Sequence, residues 1–258
     1  MFLVDSHCHV DFLDYKTVHC DVSDLVDKAQ IKNVKLILAV CTTLSGFYTM
    51  MSMIGHCDNI LLSCGVHPLH IDNRYDFNEL WYLAKRKNVV AIGETGLDYH
   101  ANQEDKSQQQ IVFREHIRVG RAFHKPIIVH TRNAREDTLA ILREEKAYEC
   151  GSVLHCFNED LAMARSALDY GFYISFSGIV TFKNAESLRE IARFIPLDRL
   201  LLESDSPYLT PEPYRGMENQ PAYVRNIAEY IATLKGISLI DLATVTTKNF
   251  SRLFHVKI

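Results

Sequence analysis

Short apolar runs recur along the chain at residues 2–5, 35–41, 60–66, 89–93, 126–129, 152–155, 171–176 and 199–204. They are brief and rich in Val, Ile and Leu, which predicts buried strands. Between them lie stretches with helical spacing. In 221–235, Val224, Ile227, Ile231 and Leu234 share one face, and Pro221 is placed for a first helical turn. Segments 107–124, 135–147 and 238–254 read as further helices. Strands that alternate with helices predict βαβ units and a parallel sheet.

Eight strands and as many helices in 258 residues match the α/β class and a TIM (β/α)8 barrel. The alternative is an open doubly wound sheet, which gathers its site at one topological switch point. Here the strands that end in candidate ligands are the first, fourth, fifth, sixth and eighth, and their side chains converge more easily inside a closed ring. No repeat or linker divides residues 1–258, so a single domain is expected. The stretch TPEPYRGMENQP at 210–221 follows the eighth strand and reads as a loop at the catalytic rim.

An apolar content of 47% suffices for a large core. The net charge of -4 supplies no global basic field to recruit nucleic acid, but metal can neutralise phosphate locally, so charge does not decide the substrate. The seven cysteines are odd in number and lack a CxxC pair, as expected of a reducing compartment. MFLVDSHCHV has no basic leader, and no run reaches the roughly 20 apolar residues of a membrane span. The expectation is a soluble, cytoplasmic protein with no membrane association and no obligate protein partner, a monomer by default.

Five of the apolar runs end in a histidine or carboxylate. FLVD leads to His7 and His9, VVAIG to Glu94, PIIV to His130, SVL to His155, and the eighth run to Asp205. In a barrel, residues at strand C-termini form the active site. Alternation along a strand would place His7 and His9 on one side. Four imidazoles suit Zn²⁺, Mn²⁺, Fe²⁺ or Co²⁺ better than Ca²⁺. Glu94 can give one oxygen to each of two ions, although beside Thr95 and Gly96 it also reads as a helix N-cap or a loop charge. Asp205 is the candidate general base, since a metal lowers the pKa of water from 15.7 to about 7 and a nearby carboxylate can take the proton. Glu203, two residues earlier, points to the same side and can orient a ligand.

The motifs DSHCHVD at 5–11, PIIVHTRNARED at 126–137 and LLESDSP at 201–207 resemble the three signatures of TatD-type metal-dependent hydrolases. GETGLDY at 93–99, LHCF at 154–157 and RGMENQP at 215–221 are similar to that family as well, and the likeness runs on to NFSRLF at 249–254. The resemblance implies an amidohydrolase-like barrel and a metal-dependent deoxyribonuclease acting on DNA. It further implies two divalent ions, with Zn, Mn or Mg as candidates. One would be held by His7, His9, Glu94 and Asp205, the other by Glu94, His130 and His155. Where the wider superfamily often uses a carboxylated lysine as the bridge, this chain has Glu94. Two departures are Ser204, where many members have threonine, and His100, where an aromatic is frequent.

A nuclease must also hold phosphate and sugar. Arg132 and Arg215 are candidates for phosphate contacts, His67 for the pocket wall, and Tyr99 and Phe157 for stacking, although such aromatics more often pack in a core. A binuclear site activates water equally well against a carbonyl carbon. Hydrolysis of a carboxylic ester or amide, such as deacylation of an aminoacyl-tRNA, is therefore the alternative to DNA cleavage, and a non-catalytic metal-binding protein is a third reading.

Overall fold

In the computed structural model, residues 2–100 and 106–258 are described. Eight strands form one parallel sheet in sequence order. They are β1 (Leu3–Cys8), β2 (Val34–Ala39), β3 (Ile60–Cys64), β4 (Val89–Asp98), β5 (Ile127–Arg132), β6 (Ser152–Leu154), β7 (Tyr173–Phe176) and β8 (Leu200–Leu202). A parallel bridge between Cys8 and Ser206 closes the ring, reinforced where His9 N–H donates to Ser206 O and Asp205 N–H to His7 O, each at 2.9 Å. The expected TIM-type barrel is the observed fold.

The helices on the outside are α1 (Val22–Ile31), α2 (Leu44–Ile54), α3 (Phe77–Ala84), α4 (Lys106–Phe123), α5 (Arg135–Glu144), α6 (Leu161–Asp169), α7 (Glu186–Phe194) and α8 (Val224–Lys235). The last helix, α9 (Leu239–Phe254), packs differently from the rest. Its Phe250, Leu253 and Phe254 cluster with Val4, Leu38, Ala91, Ile128, Val153 and Leu201 of the strands, forming a core separate from the one beneath the outer helices. This apolar plug occupies the end of the barrel opposite the strand C-termini. Removing a buried aromatic such as Phe250 would cost about 3–5 kcal/mol.

Strand alternation carries that plug face upward. On β5, Ile128 shares a side with His130. The ladder continues one residue past β6 and β8, so Val153 shares a side with His155 and Leu201 with Glu203, whereas Asp205, with φ 57°, is placed by the turn after β8. On β1 and β4 the register shifts instead, between Asp5 and Cys8 and between Ile92 and Thr95. Strict alternation from Val4 or Ala91 would not turn His7 or Glu94 inward. The irregularities do so, in keeping with the tendency of such features to re-aim side chains at active sites. His9 lies just past the end of β1, so its meeting with His7 comes from the turn rather than from the alternation expected of the sequence.

β4 extends to Asp98, well beyond the predicted 89–93. Two glycines allow the close packing around it. A Cβ on Gly65 would lie 2.5 Å from Gly93 Cα. One on Gly96, whose φ is +141°, would lie 2.0 Å from the carbonyl oxygen of His130. Only glycine lets β4 and β5 approach at that point.

Candidate metal centre

The six expected ligands converge at the mouth of the barrel. Glu94, 2% exposed, stands at the centre with its two oxygens facing different imidazoles. Oε2 lies 3.3 Å from His7 Nε2 and 3.6 Å from His9 Nε2. Oε1 lies 2.8 Å from His155 Nε2 and 3.1 Å from His130 Nδ1. Asp205 Oδ1 closes the first group, 3.7 Å from His7 Nε2 and 3.6 Å from His9 Nε2. Asp205 adopts a left-handed backbone (φ 57°), which aspartate tolerates better than most residues.

The donor set fits metal. His7 Nε2 and His9 Nε2 face each other at 3.3 Å, and buried Glu94 Oε2 accepts no hydrogen bond among the described residues. Two imidazole lone pairs and a carboxylate oxygen aimed at one another are poorly satisfied by themselves and well satisfied by a cation. Burial alone would raise the pKa of Glu94, but the neighbouring His155 and the hydrogen bonds from His130 and His155 hold it well below the usual carboxylate range. Asp205 follows the same pattern: burial opposes ionisation, yet His9 and His7 keep its pKa low. Both carboxylates are anionic acceptors at neutral pH.

Outer contacts fix these side chains. His130 Nε2 lies 3.1 Å from Asp98 Oδ2, which leaves Nδ1 for the Glu94 side. His9 Nδ1 lies 3.3 Å from Val40 O. Asp5 ties β1 to the end of β8: its Oδ1 accepts the N–H of Ser204 at 2.8 Å and of His7 at 3.2 Å, and its Oδ2 accepts the Ser204 hydroxyl at 2.5 Å. Burial pushes the Asp5 carboxyl up to about 8 despite these bonds. The hydroxyl of Ser204 is the group used, and threonine would supply it as well.

These candidate ligands open into a cavity of about 790 Å³. His67 and Arg132 line it. His67 Nδ1 accepts the N–H of Leu69 at 3.1 Å, and its Nε2 lies 3.4 Å from Glu94 Oε1. Burial drives its pKa down to about 3, so the ring is neutral. Arg215 is elsewhere: its guanidinium lies 3.8 Å from the centroid of Phe182, and Nη1 donates to Thr210 O at 3.3 Å. Tyr99 and Phe157 are buried; the Tyr99 hydroxyl donates to Asp137 at 2.7 Å. The aromatics that reach the cavity are Phe12 and Tyr208, 42% and 52% exposed, on either side of His9.

The profile of the family described as TatD related DNase matches residues 4–255. The chain belongs to the TatD family of metal-dependent hydrolases. It is 60% identical over 256 residues to the metal-dependent hydrolase YcfH of Escherichia coli (strain K12), covering 99% of this chain and 97% of that protein. It is 40% identical over 256 residues to the metal-dependent hydrolase YabD of Bacillus subtilis (strain 168), covering 98% and 99%. The crystal structure of YJJV, a TatD homologue from Escherichia coli K12, superposes with a TM-score of 0.91 at 24% identity, covering 99% of this chain and 98% of that one. Metal-dependent hydrolysis is thus the family's activity, and the His/Glu cluster is able to bind metal. Among the described residues, no helix is long and apolar enough to cross a membrane.

Asp98, Phe12 and Tyr208 were not singled out by the sequence. Asp98 sits four residues after Glu94 on the same strand, and Phe12 three residues after His9. Only the extension of β4 and the 3-10 turn at Val10–Phe12 bring these two to the site.

Proposed function

We propose that this chain is a two-metal phosphodiesterase acting on DNA. The observation that carries the reading is Glu94: one carboxylate with Oε2 turned to His7 and His9 and Oε1 to His130 and His155, beside the hydrogen-bond donor His67. His7, His9, Glu94 and Asp205 would hold one divalent ion, and Glu94, His130 and His155 the other. When bound, such ions polarise a phosphoryl oxygen, lower the pKa of water and stabilise the leaving oxygen.

The chain's own residues supply the rest. Asp205, ionised and at the cavity wall, takes the proton from the attacking water. His67, neutral and with Nε2 carrying the proton, donates to an oxygen of the phosphate. Arg132 lines the same cavity and, unlike Arg135 with its Glu159 and Asp160 partners, is engaged by no carboxylate among the described residues, so it is available to phosphate. Phe12 and Tyr208 offer exposed ring faces to a base. DNA is favoured as substrate by the family description together with this pairing of aromatic and cationic walls.

The deciding experiment compares labelled oligonucleotides with a panel of carboxylic esters and amides, each with chelator and with Zn²⁺, Mn²⁺ or Mg²⁺ restored. Metal-dependent release of nucleotides, lost in Asp205→Asn while the fold is kept, is the expected result. Turnover of esters or amides with no cleavage of DNA would replace this reading by the acyl-hydrolase one. Near-normal activity of Asp205→Asn would remove Asp205 as the base.

A further inference from the structure

Five histidines surround Glu94. His67 already has its Nδ1 engaged by the N–H of Leu69, and each of the four candidate ligands His7, His9, His130 and His155 has a second ring nitrogen that needs a partner. Two have their own: His9 Nδ1 lies against Val40 O, and His130 Nε2 against Asp98 Oδ2. His7 and His155 do not. Their rings stack, with centroids 4.0 Å apart and planes 10° from parallel. Both turn Nε2 toward Glu94, and both Nδ1 atoms are buried without a hydrogen bond. Glu203 is fully buried next to them, with neither carboxylate oxygen hydrogen-bonded. Its Oε1 lies 3.5 Å from His155 Nδ1, and His7, His155 and Glu203 each offer a donor atom within 4.8 Å of the others.

We propose that Glu203 is a positioning residue that accepts the Nδ1–H of His155 directly and, through one buried water, the Nδ1–H of His7, one at each oxygen. A carboxylate has lone pairs enough for two such donors. With both protons held on Nδ1, both Nε2 lone pairs stay free on the Glu94 side. His7 and His155 serve different ions in the two-ion reading on which this inference rests. One buried carboxylate below the site therefore sets the orientation and basicity of a ligand to each ion, as Glu94 joins the two from above. An extra cation among the three side chains is disfavoured, because it would need both imidazoles to ligate through Nδ1 and Nε2 at once. Leaving four buried polar atoms unpaired would be costly, each by about 1–3 kcal/mol.

The test uses zinc-loaded protein with ¹⁵N-labelled histidine. Long-range proton–nitrogen correlation should show His7 and His155 both as Nδ1–H tautomers with protected, downfield N–H protons. In Glu203→Gln these two signals should shift together, and the dissociation constants of both zinc ions should rise about 10–100-fold. A zinc-loaded wild type in which either ring lacks the Nδ1 proton would overturn the proposal, and needs no variant. So would Glu203→Gln with zinc affinities within about twofold of wild type and only a lowered melting temperature, the mark of a merely structural role. Binding of one zinc ion instead of two would defeat the two-ion reading, while the tautomers of the two rings still decide the role of Glu203.

Discussion

His67 turns its Nε2 to Glu94 Oε1 at 3.4 Å because its Nδ1 is already taken by the N–H of Leu69. That bond fixes the tautomer. A nitrogen that accepts from a backbone amide has no proton, so in the neutral ring Nε2 has it. His67 therefore stands among potential metal donors as a hydrogen-bond donor itself, although it groups with Glu94 and His130 by distance alone.

The consequence is a separation of metal binding from turnover. His67→Ala should leave metal affinity nearly unchanged while kcat/KM falls by about 10²-fold, the usual loss when one donor to a developing oxyanion is removed. Calorimetric metal titration beside steady-state kinetics measures both. A large loss of metal affinity would make His67 a ligand.

Asp98 should show the opposite signature. It holds His130 Nε2 and so presents Nδ1 to the centre. Asp98→Asn keeps the volume but weakens the acceptor, and metal affinity should fall by about 10–100-fold. Activity should then return at raised metal concentration, because no proton-transfer group has been lost. A variant that stays inactive when saturated with metal would give Asp98 a direct role in the reaction.

These two residues show where the sequence is legible and where it is not. His130 and His155 follow directly from alternation, since Ile128 and Val153 belong to the barrel plug and the two histidines lie two residues further on. The barrel itself was readable for the same reason: buried strand and helix repeat regularly. His7 and Glu94 were found as run-ending residues, but their inward aim depends on register shifts that leave no periodic trace. The position of Arg215 in the loop after β8 predicts a place on the catalytic rim, yet the fold of that loop lays it on Phe182. Phe12 and Tyr208 lie in turns, where orientation follows from backbone geometry and not from spacing.

Those two aromatics supply a test of substrate handling. Both are substantially exposed and flank His9 at the cavity mouth, so replacing them should disturb the fold little. If each stacks on a base, Phe12→Ala and Tyr208→Ala should each weaken substrate binding by about 1–3 kcal/mol. The loss should appear in KM on oligonucleotides, with kcat nearly retained and with little effect on a small chromogenic phosphodiester lacking a base. An equal loss on the small substrate would assign the rings to the metal centre's surroundings instead.

The stability of the barrel toward acid can be read from a histidine away from the metal centre. His116 on α4 is fully buried, with Nδ1 2.7 Å from Val112 O and Nε2 accepting the N–H of Val66 at 3.0 Å. Burial lowers its pKa from 6.5 to about 4, with the bond to Val112 opposing. Because the folded pKa lies below the unfolded one, the unfolded chain takes up the proton first as pH falls. The neutral ring's contribution is complete above about pH 6.5 and is lost progressively toward pH 4, a swing of about 3 kcal/mol. Protonation also turns Nε2 from acceptor to donor and leaves the Val66 N–H without a partner. His116→Gln should be less stable than wild type at pH 8, and the gap should narrow steadily between pH 6.5 and 4 in denaturant titrations of the metal-free proteins. A gap that is independent of pH across that window would mean that His116 is not held neutral in the fold.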